Sequence, residues 1–182
     1  MKVGVFVGSF DPVHNGHVKL MNYLVDKKIV DKMRVIPTGN YWDKQNLSNI
    51  NHRINMLNLI KNDNLIVDNE HNELNYTYEL LNKLKEEYPN DVFYLVIGSD
   101  NANTLHKWKN YEELIKNNII VINRDDIKID LKTDKLTIIK EKFGHISSTF
   151  IRENIKNKNY DILNGIIDEK VLKYILKNNL YE

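Results

Sequence analysis

The chain has 182 residues, 42% of them hydrophobic, which suits one domain with a real core, since domains commonly run about 100–200 residues. With no cysteine it excludes disulfides, cysteine nucleophiles and thiolate metal sites, and it fits a reducing cytosol. A net charge of +1 gives no global attraction to nucleic acid, and no apolar run approaches the ~20 residues that span a bilayer.

The first β-type run, Val3–Val7, is too short for a signal peptide, and a glycine turn follows it directly. That turn reads Gly8-Ser9-Phe10-Asp11-Pro12-Val13-His14-Asn15-Gly16-His17 and opens a helix carrying Leu20, Met21, Leu24 and Val25 at spacings of three and four. A strand, a glycine turn and a helix start aim backbone N–H groups and the positive helix end at one point, a seat for phosphate. His14 and His17, three apart, are placed to reach a ligand there together, with Gly16 keeping side-chain bulk from between them. A zinc site on this pair lacks an evident third ligand.

Further strands are expected at Met33–Ile36, Leu65–Val67, Val92–Ile97 and Ile119–Ile122, with a shorter one at Leu136–Ile139. Helical spacing joins Ile54, Leu57 and Ile60, then Tyr78, Leu81 and Leu84, then Tyr111, Leu114 and Ile115. Strands alternating with helices argue for an α/β fold, a parallel sheet covered on both faces. Two more helices follow at Ser148–Lys156 and Asp168–Lys177, a C-terminal helical segment. No repeat or linker divides residues 1–182, so one domain is expected, and Asn123–Lys135 reads as a charged, solvated connection.

Ligands of open α/β sheets bind beyond the C-terminal ends of the strands. There the sequence places the Gly8–His17 loop, Gly98-Ser99-Asp100 and Asn123-Arg124. Ile146-Ser147-Ser148-Thr149-Phe150-Ile151-Arg152 opens a later helix with hydroxyls suited to its N-cap and an arginine one turn in, a second phosphate seat. Only four arginines occur (Arg34, Arg53, Arg124 and Arg152), and arginine's rigid fork suits phosphate better than lysine does. Arg124 is open between phosphate contact and solvent exposure; Arg34 and Arg53 read as structural. Asp11 reads equally as a turn cap and as a functional group, and Thr77 as a helix cap or a ligand contact. Trp108 is open between core packing and stacking, while His52, His71, His106 and His145 lack convincing partners.

G-S-F-D-P-x-H-x-G-H followed by the distant I-S-S-T-x-I-R resembles the nucleotidylyltransferase superfamily. Asn75-Tyr76-Thr77, Ile97-Gly98-Ser99-Asp100, Leu105 with Trp108, and the closing Tyr174-Ile175 and Leu180-Tyr181 are similar to bacterial nicotinate-nucleotide adenylyltransferases, over the whole length. The resemblance implies a Rossmann-like domain that transfers AMP from ATP to nicotinate mononucleotide, with Mg²⁺ bridging triphosphate oxygens. It assigns His14, His17, Lys44 and Arg152 to catalysis. Gly8, Ser9, Phe10 and Gly98, with Ser147, Thr149 and the two histidines and Arg152, go to the ATP site. Thr77, Asp100 and Trp108 go to the acceptor, Trp108 stacking on the pyridine ring and Asp100 binding ribose hydroxyls. No dedicated protein metal site is implied.

The chain departs from the family pattern on the acceptor side, where Tyr41-Trp42-Asp43 precedes Lys44 and Lys109 follows Trp108. Nicotinamide mononucleotide or phosphopantetheine as acceptor, cytidylyl transfer, and a non-catalytic nucleotide sensor are the competing readings. The expected partners are the two small substrates, without nucleic acid or membrane; a homo-oligomer is compatible with the sequence, and the expected location is the cytoplasm.

Overall fold

The computed structural model describes residues 1–39 and 46–182, so the Lys44 expectation lies outside the described residues. The strands are β1 (Lys2–Gly8), β2 (Lys32–Pro37), β3 (Leu65–Val67), β4 (Val92–Gly98), β5 (Asn118–Ile122) and β6 (Leu136–Ile139). They pair in parallel in the order β3-β2-β1-β4-β5-β6. This order reverses direction at β1 and β4, so a crevice opens beyond their C-terminal ends, at Gly8 and Gly98.

The alternation of side chains along a strand splits the core in two. Leu95, Ile97, Ile119 and Val121 face α3 (Thr77–Glu87), α4 (Ser99–Thr104) and α5 (Tyr111–Leu114). Val96, Ile120 and Ile122 face the opposite way, toward α1 (Asn15–Asp26), α2 (Ile50–Leu59), α6 (Ser148–Lys156) and α7 (Glu169–Lys177). The C-terminal helical segment therefore covers the same face as α1, with Ile151, Ile155, Val171 and Ile175 buried. Full burial of each such side chain contributes about 1.5–3 kcal/mol. No helix among the described residues is long and apolar enough to cross a membrane.

Three local expectations change. His71 has two partners: its Nδ1 lies 2.8 Å from Asp68 Oδ2 and its Nε2 2.9 Å from Glu87 Oε2, in a buried cluster that also holds Arg34. His52 Nδ1 meets the Tyr174 hydroxyl at 2.8 Å. The Asn123–Lys135 connection is solvated only in part, because Asn123 and Leu131 are buried and Asn123 holds the turn by bonds to Ile127.

Candidate active site

β1 ends at Gly8, and the chain turns sharply through Phe10, whose φ of 49° is a left-handed conformation uncommon outside glycine. The Phe10 ring folds back over Gly8, so that a Cβ there would stand 3.1 Å from the ring. The same ring packs edge-on against His17, centroids 5.0 Å apart. Phe10 is thus a buried prop beneath His17.

His14 is the N-cap of α1. Its Nδ1 accepts the Gly16 N–H at 3.1 Å, and His17 Nδ1 accepts the His14 N–H at 3.2 Å. The two rings stack with centroids 3.7 Å apart. An added Cβ at Gly16 would come within 2.9 Å of His14 Cε1, which explains the glycine between the histidines. Burial first, then the Arg124 charge, pushes His14 down to about 4. Burial, His14 and Arg124 hold His17 well below the usual histidine range. Both rings are therefore neutral at neutral pH. Because a backbone N–H can only donate, each Nδ1 must carry the lone pair, and the hydrogen-bond pattern assigns each ring proton to Nε2. The pair offers two N–H donors without bringing positive charge of its own.

These histidines line a cleft of about 330 Å³, together with Phe6, Gly16, Gly98, Asp100 and Arg124. Gly98 has an ordinary extended conformation, and a Cβ there would meet nothing within 4 Å. Neither backbone strain nor packing within the protein demands glycine, and the position opens on the cleft. Ser99 is buried, its hydroxyl donating to the Ile122 carbonyl at 3.2 Å, which ties the end of β4 to β5. Asp100 lies in this cleft with the histidines.

Ser147 caps α6, its Oγ accepting the Phe150 N–H at 3.1 Å. Arg152 donates to the Asp11 carbonyl at 2.8 Å and to Thr149 Oγ1 at 3.1 Å. The second motif of the sequence is thus brought to the first, at the Asp11 and Pro12 carbonyls. Ile146, Gly144 and Phe143, just before that motif's helix, line the cleft. Ser9 sits in the turn itself, its carbonyl accepting Arg53 Nη1 at 2.9 Å.

A second cleft, about 280 Å³, is lined by Asn75, Tyr76, Thr77, Trp108, Lys109 and Leu114. Thr77 is the first residue of α3 and not its cap; Tyr76 holds the cap position and makes no side-chain bond to the helix amides. Trp108 is half-buried: it packs partly on the core and also lines this cleft.

For three residues named from the sequence, the structure supplies contacts that the sequence leaves open. Arg124 lines the cleft and acts on both imidazoles; its place immediately beyond β5 was the available signal. Arg53 is fully buried beneath the Gly8–His17 turn, and Tyr181 bonds Asp11 across 170 positions, which no local pattern announces.

Residues 5–154 match the cytidylyltransferase-like family. The chain is 36% identical to a probable nicotinate-nucleotide adenylyltransferase of Flavobacterium psychrophilum, each chain being covered completely. It is 33% identical to the nicotinate-nucleotide adenylyltransferase of Bacillus subtilis, over 100% of this chain and 98% of the relative. Its fold superposes with a TM-score of 0.83, at 26% identity, on the Plasmodium falciparum nicotinic acid mononucleotide adenylyltransferase complexed with NaAD, covering 99% and 97% of the two chains.

Proposed function

The chain belongs to the nicotinate-nucleotide adenylyltransferases of the cytidylyltransferase-like family, and from that membership we propose how its residues carry out the transfer. It moves AMP from ATP to nicotinate mononucleotide, giving deamido-NAD and pyrophosphate. The observation that carries this reading is the pair of stacked neutral histidines at the start of α1, opening on a cleft at the sheet's switch point.

ATP lies in the larger cleft, with its triphosphate at the N-terminus of α1. His14 and His17 donate from Nε2 to phosphate oxygens, and Gly98 lets the nucleotide approach the backbone. A 5′-phosphate oxygen of the acceptor forms a new bond to the α-phosphorus, while the bond to the bridging oxygen breaks and its electron pair leaves with pyrophosphate. The nucleophile is already ionised, so no general base is needed; placing the reactants and stabilising charge are the whole task. Arg124 adds positive charge at the cleft. Lys44, Ser147, Thr149 and Arg152 are assigned to the phosphates, Arg152 and Thr149 bearing also on the loop through Asp11.

The acceptor ring goes to the second cleft, against Trp108. Lys109 and the uncapped first-turn amides of α3 favour a carboxylate over a carboxamide there. Asp100 is assigned to ribose hydroxyls, on the wall of the larger cleft.

Mg²⁺ fits this site as an ion that enters with the triphosphate. Asp100 and Asp125 on the cleft wall are oxygen donors of the kind it accepts, and they are two rather than a full cage. When bound, it supplies charge neutralisation on the phosphate oxygens. We further take residues 1–182 to act as one domain in the cytoplasm.

The test is pyrophosphate release with ATP and Mg²⁺, comparing nicotinate mononucleotide, nicotinamide mononucleotide and phosphopantetheine. Preference for the first is expected. Preference for another would overturn the assignment of Thr77, Trp108 and Lys109, and silence with all three would overturn the enzymatic reading.

A further inference from the structure

We propose that Tyr181 is a positioning residue for the phosphate-binding turn, acting through Asp11; this rests on the adenylyl-transfer reading above. Asp11 is 1% exposed and lies three residues before His14. Both of its carboxylate oxygens are held from a distance: Oδ1 accepts the Tyr181 hydroxyl at 2.5 Å, and Oδ2 accepts the Ser48 N–H at 2.9 Å.

The same turn is gripped at its carbonyls. Arg152 bonds that of Asp11, Ser148 Oγ that of Pro12 at 2.9 Å, and Arg53 Nη1 that of Ser9 at 2.9 Å. Arg53 Nε also bonds the Ser48 carbonyl at 3.0 Å, so that Ser48 and Ser9 share one buried guanidinium. Every contact but one comes from backbone atoms or from long basic and hydroxyl groups that reach carbonyls. Among the described residues, Tyr181 is the side chain that meets the carboxylate by hydrogen bond. Asp11 in turn meets no basic side chain by hydrogen bond among those described, so the phenol supplies what a buried carboxylate needs.

The phenol stays a donor across the working range: burial and the Asp11 carboxylate together push it far above the ordinary tyrosine value. Asp11, Ser48, Arg152 and the buried Arg53 are polar groups near it among the described residues. Removing its proton donor orphans one oxygen of Asp11, and the turn that fixes His14 and His17 relaxes. In a reaction that depends on placing phosphates, displacement on the order of 1 Å suffices to lower turnover up to about 100-fold.

The test compares Tyr181→Phe with Tyr174→Phe. Tyr174 makes a similar hydroxyl network, to His52 and to Asn55 at 3.0 Å, but touches α2 and not the phosphate turn. In Tyr181→Phe, kcat is expected to fall about 10-fold while KM for ATP and for nicotinate mononucleotide shifts less than about twofold. Tyr174→Phe should lower thermal stability and leave kcat unchanged. Asp11→Asn and the double variant should fall to the same kcat as Tyr181→Phe within about twofold, since the two residues act as a unit. In the substrate-free protein, the side-chain ¹⁵N resonances of His14 and His17 should move in Tyr181→Phe and stay in place in Tyr174→Phe. Unmoved resonances with wild-type kcat in Tyr181→Phe, or additive losses in the double variant, would overturn the proposal. If the wild-type protein shows no turnover, the adenylyl-transfer reading fails by itself, and the histidine resonances still decide the role of Tyr181.

Discussion

The rings of His14 and His17 lie 25° from parallel with centroids 3.7 Å apart, and each presents its Nδ1 to a main-chain N–H. Two imidazoles this close repel when both are charged, and burial disfavours even one charge. The arrangement suits a pair of neutral donors for an anion already rich in charge.

Truncating either ring should strike turnover. His17→Ala is expected to lower kcat by about 10²–10³-fold, the usual cost of one lost transition-state donor, while ATP affinity falls modestly. Steady-state kinetics on folded protein, checked by circular dichroism, decide it; near-normal turnover would sink the mechanism.

The depressed histidines also fix how stability follows pH. Above the ordinary value of 6.5, His14 is neutral in folded and unfolded chains and contributes no difference. As pH falls below 6.5, the unfolded chain takes up the proton first, so stability declines until the folded form also protonates near 4. The loss attributable to His14 over that window is about 3 kcal/mol, with His17 acting in the same direction. Urea midpoints measured from about pH 8 down to about pH 4 should show the slope. His14→Asn keeps an N-cap acceptor, removes the His14 titration and should reduce the slope, leaving the part due to His17.

Gly98 should tolerate a side chain structurally and not functionally. Gly98→Val points its Cβ into open cleft, so unfolding temperature should change little while KM for ATP rises about 10-fold, roughly 1.4 kcal/mol. Unchanged KM would place the nucleotide elsewhere.

Trp108→Ala should separate the two clefts. Losing the stacking surface, worth about 0.5–1.5 kcal/mol beyond burial, should raise KM for nicotinate mononucleotide by about 10-fold and leave KM for ATP within about twofold. Equal effects on both substrates would show that Trp108 supports the fold alone.

Away from the clefts, Asp68→Ala should damage stability without touching turnover. Arg34 Nη1 lies 2.6 Å from Asp68 Oδ2, and its guanidinium sits 4.7 Å over the Tyr88 ring. Burial opposes the Asp68 charge, but hydrogen bonds from Arg34 and from the His71 and Glu70 amides hold its carboxyl below the usual range. Breaking a buried pair from one side costs about 3–5 kcal/mol, so denaturant unfolding should shift sharply while kcat per folded molecule holds.

The sequence made the sheet legible because its central strands are continuous apolar runs, largely buried, such as Phe93–Ile97 and Ile119–Ile122. It hid α4, whose Asp100, Asn101, Asn103 and Thr104 carry almost no apolar period and are held by tertiary bonds such as Asn103 to the Lys128 carbonyl. The glycine-and-histidine loop was legible as a site because its chemistry is local. Arg53 reads as structural from the sequence, and its target, the Ser9 carbonyl, is set by the fold. His71 looked solitary because Glu87 stands sixteen residues away, on a helix that only the fold brings near. Lys44 stays a matter of sequence, outside the described residues.

The turn after β1 is among the first segments along the chain, yet its grips come from Ser48, Arg53, Ser148, Arg152 and Tyr181. Contacts between residues so far apart in sequence form late, after the loop-closure entropy of the intervening chain has been met. During refolding, the far-ultraviolet signal of the sheet and helices should therefore recover before nucleotide binding does. Competence to bind is expected to return with the docking of the helices after β6, which close their hold on a turn far from them in the chain.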